Sequence, residues 1–368
     1  MMGCQVAPAQ LFYDFCLDDH VPANHLLRGI DRHLELDSVR AQLRPFYSGT
    51  GRPSIDPELM MRMLIIGYSM GIRSERRLCE EVHLNLAYRW FCRLGLDGKV
   101  PDHSSFSKNR HGRFRQSDIR RHMFETVVER CLAQGLVGAE GFAVDASLIA
   151  ADANKQRSVP GSEWEAKEES RFGLRPGYIA ADSAYGSADN LAWLVKEKKI
   201  APHIPVFDKS NRTDGTFSRS DFTWEAENDR YICPAGKELK QFHRTYATPR
   251  SGITAKGTRL YRASKRDCDH CELKPQCCPN MPLRKIPRDL NEDARDVARA
   301  IAATPQYEQS RHRRKKVEML FAHLRILRMA RLRLRGPCGA RDEFLLAATA
   351  QNLRRLAKLR PLHGVIAA

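Results

Sequence analysis

GFAVD (141–145) and YIAAD (178–182) are two short apolar runs that each end on an aspartate. Their length and composition, bounded by glycine on the upstream side, predict β-strands. After the second run come Ala184, Tyr185 and Gly186, and then Ser187, a good cap for a helix from Ala188 to about Lys198. Strand, loop and helix in that order predict a parallel α/β unit. Sites in such units gather at the carboxyl ends of the strands. Asp145 and Asp182 stand at those ends.

Upstream, the first 135 residues read as helical. Asp56-Pro57-Glu58 is a strong helix start, with a capping carboxylate, proline in the first turn and an acid near the amino end. Leu59, Met63, Ile66 and Met70 follow at helical spacing and predict one buried stripe. Ser74-Glu75 opens a helix with Leu78 and Val82 on its apolar side, and Tyr88, Trp90 and Phe91 sit among arginines in 85–94. Ser117 is placed to cap a further helix carrying Ile119, Phe124, Val127 and Cys131, with Gly135 as its stop. Several short helices with interspersed Arg and His suit a helix-turn-helix-like DNA-binding module. A plain helical bundle with a solvated basic face fits the same periodicity.

Downstream, residues 206–290 are polar, rich in aromatic residues and threonine, and carry five cysteines. That texture predicts a mostly β subdomain. Cys233, Cys268, Cys271 and Cys277 (or Cys278) follow a C-x34-C-x2-C-x5-C pattern. A CxxC pair with two more thiolates suits tetrahedral Zn²⁺, which would staple a subdomain too small for a full core. Free thiols are the alternative. The chain then returns to helix, one long basic segment from Glu308 to Arg335 and an amphipathic one from Asp342 to Leu359.

Lys and Arg total 61 against 44 acids, a net charge of +17. Such an excess favours a polyanionic partner, because each neutralised phosphate releases condensed counterions. No run of 18 or more apolar residues occurs, which argues against a membrane span, and the first ten residues do not read as a signal peptide. A reducing cytoplasm is expected, with the remaining cysteines as buried thiols.

Two strand-end aspartates and a helical glutamate could hold two Mg²⁺ ions, roughly 3.5–4 Å apart in phosphoryl displacement. Glu318 is the candidate third carboxylate. At 100° per residue it lies about 40° from Arg314 and about 20° from Arg325 around the helix, so all three share a face. Between Tyr307 and Arg335 there are ten Lys or Arg, including Arg311, Lys315 and Lys316, against two acids. A carboxylate flanked by cations is suited to a phosphodiester backbone. A solvated amphipathic helix is the plainer reading. His103, His203 and His323 read as structural or DNA-facing rather than catalytic, and Tyr185 and Trp193 as core.

These stretches together resemble the DDE transposases of bacterial insertion sequences, in the subgroup with a cysteine-bearing insertion before the glutamate. GRPSIDPELMMRMLIIGYSMGIRSERRL (51–78) is similar to that family's N-terminal helical domain, and PDHSSFSKNRHGRF (101–114) to the stretch after it. AVDASLIAADANK (143–155) and IAADSAYGS (179–187) resemble the two aspartate motifs. RRKKVEMLFAHLR (313–325) resembles the Arg-x3-Glu-x6-Lys signature, with Arg325 in the lysine position. The resemblance implies an α/β protein in four parts. Residues 1–136 would be a helical DNA-binding domain, 137–205 the first part of a ribonuclease-H-like core, 206–290 a cysteine-rich β insertion, and 291–368 the helical remainder of the core. It further implies Mg²⁺ (or Mn²⁺) on Asp145, Asp182 and Glu318, with Arg314, Arg325, Arg311, Lys315 and Lys316 on the DNA backbone. The implied partners are double-stranded DNA, as terminal inverted repeats and target, and further copies of the chain. Its place would be the nucleoid.

The chain departs from the family in one place. Only residues 146–181 separate the two aspartates, where family members fit two more strands and a helix. The segment 150–176 is polar and has no strand-like run. It is long enough for a crossover and too short for the extra hairpin. Hence a second reading: an internally deleted, catalytically inactive relative that only binds DNA.

Overall fold

The computed structural model describes residues 15–51, 53–138, 140–144, 172–207, 214–241, 252–254, 257–334 and 336–359. They fall into two compact units. One contains the described residues up to Gly138, 172–173 and those from Met319 onward; the other contains 140–144 and Leu174–Glu318.

The first unit is helical. In chain order it holds α1 (Leu26–His33), α2 (Asp37–Leu43), α3 (Pro57–Met70), α4 (Glu75–Leu84), α5 (Leu86–Phe91), α6 (His103–His111), α7 (Arg113–Gln116) and α8 (Ile119–Ala133). Asp56 caps α3 as its sequence predicts, accepting from the amides of Glu58 (2.8 Å) and Leu59 (3.2 Å). Gly71, at φ +71°, ends it in the left-handed region that glycine enters without strain. The single stripe expected on α3 is too narrow. Met60, Met61, Met63, Leu64, Ile65, Ile66 and Tyr68 are all buried, because α2, α4, α5 and a later helix surround α3. A side chain at Gly67 would crowd the Ile72 carbonyl at 3.0 Å, so glycine lets the next turn close there. Helix α8 starts one residue later than expected, with Asp118 rather than Ser117 at the cap position, and stops at Gly135 as expected.

The later helix is α14 (Gly336–Leu359). Its Leu346, Ala347, Ala350, Leu353 and Leu356 are buried in the same core as Leu27, Met60 and Val127. From Met319 on, the described chain packs with α1, α3 and α8. Two buried ion pairs accompany the apolar contact, Arg73 with Glu343 and Arg120 with Asp342. Desolvation pushes Arg120 down to about 10 and raises Asp342, and each partner's opposite charge works against that shift.

The second unit begins with three short strands, β1 (Gly141–Ala143), β2 (Tyr178–Ala180) and β3 (Ala201–His203). They pair in parallel in the order β1-β2-β3, with Gly141 opposite Tyr178 and Tyr178 opposite Ala201. The first two strands match the sequence reading; the third was not anticipated. The crossover after β2 is α9 (Ala188–Ala192), capped by Ser187, which continues as a π-helical turn over Trp193–Lys198. Helix α12 (Glu292–Ala302) packs on α9 and β3. Ala181, Leu191, Leu194, Ile200, Ile204, Ala294 and Ala298 fill the space between, with Tyr185 and Trp193 packed against them as expected. A Cβ on Gly186 would fall 2.0 Å from the Pro205 carbonyl, so glycine is needed where the chain leaving β3 crosses the loop after Asp182.

The described residues within 206–290 are β-rich, as expected. Strands β4 (Thr223–Glu225), β5 (Arg230–Ile232), β6 (Glu238–Gln241), β7 (Thr258–Ala263) and β8 (Lys285–Asp289) form one antiparallel sheet in sequence order. Two short helices, α10 (Lys265–Asp269) and α11 (Lys274–Cys277), lie between β7 and β8. Ion pairs tie this sheet to α12. Glu292, 1% exposed, accepts from Arg219 (2.6 Å), Arg295 (3.1 Å) and Arg299 (2.9 Å), and Asp296 accepts from Arg288 (3.0 Å) and Arg299 (2.6 Å).

Burial alone would raise the pKa of Glu292, but the bonds and charge of Arg219, with Arg295 and Arg299, outweigh it and leave the carboxyl below its ordinary 4.5. A depressed folded pKa contributes stability that is present above the ordinary carboxylate range and is lost as pH falls through the folded value. Acid titration of the full chain, followed by tryptophan fluorescence, should therefore show a loss of stability below about pH 4.5 that shrinks in Glu292→Gln. Equal acid sensitivity of the two proteins would remove Glu292 from the account.

Candidate active site

Asp182 lies two residues beyond the carboxyl end of β2, the middle strand of the parallel sheet. Its Oδ1 accepts from the Ala184 amide at 3.0 Å and caps the short turn Ser183–Tyr185, which leaves the side chain half-buried. The ladder of β1 extends one residue further, the Val144 amide donating to the Ala180 carbonyl at 2.8 Å. Asp145 is next in the chain and lies outside the described residues.

Glu318 stands on α13 (Pro305–Ile326). That helix was expected to run to Arg335. It ends at Ile326 because the chain turns through Arg328 at φ +60°, Met329 donates back to the Leu324 carbonyl, and Leu324, Leu327 and Met329 become buried. Two side chains pin α13 to the parallel sheet. Ser310, buried, shares a 2.8 Å hydrogen bond with Nδ1 of His203 at the end of β3, and His203 stacks on Tyr178 at 4.5 Å. Arg313 donates to Glu140 (3.1 Å) and to the Tyr178 hydroxyl (3.3 Å). Burial lowers the His203 pKa. These contacts use His203 in packing β3 against α13 and β2. Sequence reasoning counted Arg313 only as one charge in a basic run; its partners are 135 and 173 residues away, which no local pattern reveals.

Glu318 itself is exposed and pairs with Arg314 at 3.3 Å, one turn earlier, so the two do share a face. Arg311 pairs with Glu308 at 2.6 Å, Lys315 and Lys316 are exposed, and Arg325 is exposed in the last turn of α13. Among the described residues, no three His, Cys, Asp or Glu side chains stand together in a way that could hold a metal ion.

Four of the five cysteines of 206–290 lie in or against one core. Cys277 and Cys278 are buried in it with Phe222, Tyr231, Leu239, Tyr261 and Ile286, and Cys233 and Cys268 pack against it. Cys233 sits at the β5–β6 turn, its Sγ accepting from the Lys237 amide at 3.3 Å. Burial, with the neighbouring Cys278 thiol, raises Cys268, and burial pushes Cys277 up to about 12.

Residues 15–112 match a family described as Transposase domain (DUF772), and residues 232–357 match a Transposase DDE domain. The chain belongs to the DDE transposases of insertion sequences. In this transposase the first match covers α1 to α6, and the second runs from the end of β5 into α14. Glu318 lies within the second match, whereas Asp145 and Asp182 lie between the two. No solved structure matches the chain. Among the described residues no helix is long and apolar enough to cross a membrane.

Proposed function

We propose that this transposase cuts and joins DNA at the inverted terminal repeats of its element, with Asp145, Asp182 and Glu318 as the metal-binding carboxylates. One observation carries the reading: Asp182 lies two residues beyond the carboxyl end of the middle strand of a parallel sheet, and the helix bearing Glu318 is pinned to that sheet by Ser310 and Arg313. Hard carboxylate oxygens are the donor set that Mg²⁺ or Mn²⁺ takes. Bound there, the cations supply activation of the attacking oxygen and stabilisation of the leaving one. Arg314, Arg325, Arg311, Lys315 and Lys316 hold the phosphate backbone on the exposed side of α13. In cleavage a water oxygen attacks phosphorus and the DNA 3′-oxygen leaves; in joining, that 3′-hydroxyl loses its proton and attacks a phosphorus of the target strand, and the target's own 3′-oxygen leaves and is protonated.

In this reading 137–205 and 291–318 make a ribonuclease-H-like core interrupted by the β subdomain 206–290. Residues 1–136, completed by the helix after 319, form the DNA-binding part. The active species is an assembly of several copies on paired DNA ends.

A second reading has its own support. The contacts of Arg313 lie at Glu140 and Tyr178, at the ends of β1 and β2 opposite those leading to the aspartates. Among the described residues the sheet has three strands, all parallel. A deleted relative that binds DNA without cutting it fits those facts. Incubating the purified chain with a terminal-repeat duplex and Mg²⁺ or Mn²⁺ separates the two. Cleavage supports the enzyme, salt-sensitive binding without cleavage leaves the binding relic, and no binding of either kind overturns both.

Cys233, Cys268, Cys271 and Cys277 (or Cys278) are proposed to hold one structural Zn²⁺, a set whose thiols must draw together on binding, since among the described residues no three of them stand together. A five-stranded sheet with so small a core gains most from such a staple. Elemental analysis should find one zinc per chain. Cys268→Ser with Cys271→Ser should lose the metal and lower the melting temperature by several degrees; a metal-free wild type with unchanged stability would refute the assignment.

A further inference from the structure

In the helical unit, residues 53–55 ahead of α3 line a cleft of about 640 Å³ together with α6 and α7. Ser105, Lys108, Asn109, Gly112, Arg113 and Gln116 come from the helical side, at the three- and four-residue spacing of neighbours on one helix face. Among the described residues, this lining holds two cations, Lys108 and Arg113, and no acid. Arg113 is fixed in place. Its Nε donates to the Phe46 carbonyl (3.1 Å), and its Nη1 to the Ser54 hydroxyl and to Oδ1 of Asn109, both at 2.7 Å. The guanidinium also lies over Tyr47, 4.5 Å from the ring centre. Asn109 is buried and anchored in turn, donating to the Ser105 carbonyl at 2.9 Å.

Each of these partners of Arg113 is neutral. The acids at the start of α3, Asp56 and Glu58, pair with Arg40. Dipoles therefore order the guanidinium, and no carboxylate of the lining offsets its charge. An anion entering the cleft meets a cation already in position, so little side-chain freedom is lost on contact. Ser54, Ser105, Lys108 and Gln116 are exposed in the same lining. Arginine, lysine, serine and glutamine are side chains that bind DNA phosphates and sugars. Size narrows the choice of anion. The volume lies in the range of drug-sized ligands, roughly 300–1,000 Å³, and so admits a stretch of sugar-phosphate chain rather than one small ion.

We infer that this cleft seats the backbone of duplex DNA, with one phosphate held by Arg113 and Lys108. The inference rests on the DNA-binding role proposed above for residues 1–136 and gives that role a site. Fluorescence anisotropy on the full chain tests it across a salt series, with a terminal-repeat duplex and a scrambled duplex of equal length. Lys108→Gln should weaken binding of both duplexes about tenfold at about 0.1 M salt. It should also flatten the slope of log K against log salt by about one, the loss of one phosphate contact. Gln116→Glu, which sets an acid at an exposed lining position, should weaken both duplexes likewise. Lys99→Gln removes an exposed lysine that does not line the cleft and should leave the slope unchanged. Wild-type slopes in both Lys108→Gln and Gln116→Glu overturn the cleft assignment and leave the DNA-binding role standing. Equal flattening by Lys99→Gln reduces the effect to net charge and overturns the site as well. Calorimetric titration with inorganic phosphate separates the other source of the same oxyanion. If Lys108→Gln loses phosphate binding with duplex affinity intact, the cleft takes a free anion and the duplex assignment fails. A wild type that binds neither duplex overturns the proposed function and the cleft together.

Discussion

Glu343→Ala is expected to cost the helical unit about 3–5 kcal/mol, the range for breaking a buried ion pair by removing one partner. Glu343 is fully buried on α14, and its Oε2 takes a guanidinium bond from Arg73, itself buried just beyond the end of α3. Its other oxygen accepts from the amides of Arg333 (2.8 Å) and Leu334 (2.6 Å), where the chain enters α14. Alanine would therefore strand one buried cation and release two backbone donors at once. Burying the pair is itself no strong source of stability, since desolvation offsets most of the attraction. The large effect comes from asymmetry. Joint replacement, Arg73→Met with Glu343→Leu, should recover much of the loss. Urea unfolding of the full chain, followed by Trp90 fluorescence, reads this unit, because Trp90 donates to Asp18 and lies under Arg28 within it. A loss under about 1 kcal/mol for Glu343→Ala, or no recovery in the double variant, would show that α14 is held by apolar packing alone.

That ion pair also marks where local reading of the chain reaches its limit. Periodicity and capping chemistry revealed α3, α4, α9 and the strands ahead of both aspartates, because each signal is carried by neighbours in sequence. The amphipathic character of α14 was equally plain. Its partner was not: Glu343 answers Arg73 across 270 residues, and an apolar face does not name the face it will meet. The same limit explains α13. Its basic character and the Arg314–Glu318 face were legible from helical geometry, whereas the anchors Ser310–His203 and Arg313–Glu140 depend on the folded sheet. Strand β3 escaped notice for a different reason. Ala201, Pro202 and His203 lack a strand's usual side chains, and pairing with β2 alone makes them one.

At the candidate active site, Glu318→Gln and Asp182→Asn are each expected to lower terminal-repeat cleavage by about a thousandfold or more, as losing several kcal/mol of charge stabilisation implies. Both should leave affinity for the same duplex nearly unchanged, since neither removes a cation from the DNA-facing side. Arg314→Ala should behave differently. The Arg314–Glu318 pair is exposed, and with arginine on the amino-terminal side it has the less favourable orientation along a helix. Its strength is about 0–1 kcal/mol, so Glu318 can leave Arg314 for a cation at little cost. Removing Arg314 should thus weaken DNA binding and flatten its salt dependence by about one phosphate contact, with a smaller effect on cleavage of bound DNA. Gel-shift titrations across a salt series, paired with single-turnover cleavage, separate these outcomes. If Arg314→Ala and Glu318→Gln depress cleavage equally and neither changes binding, the arginine acts with the carboxylate rather than on the backbone. If Glu318→Gln leaves wild-type cleavage intact, the third carboxylate lies elsewhere in the chain.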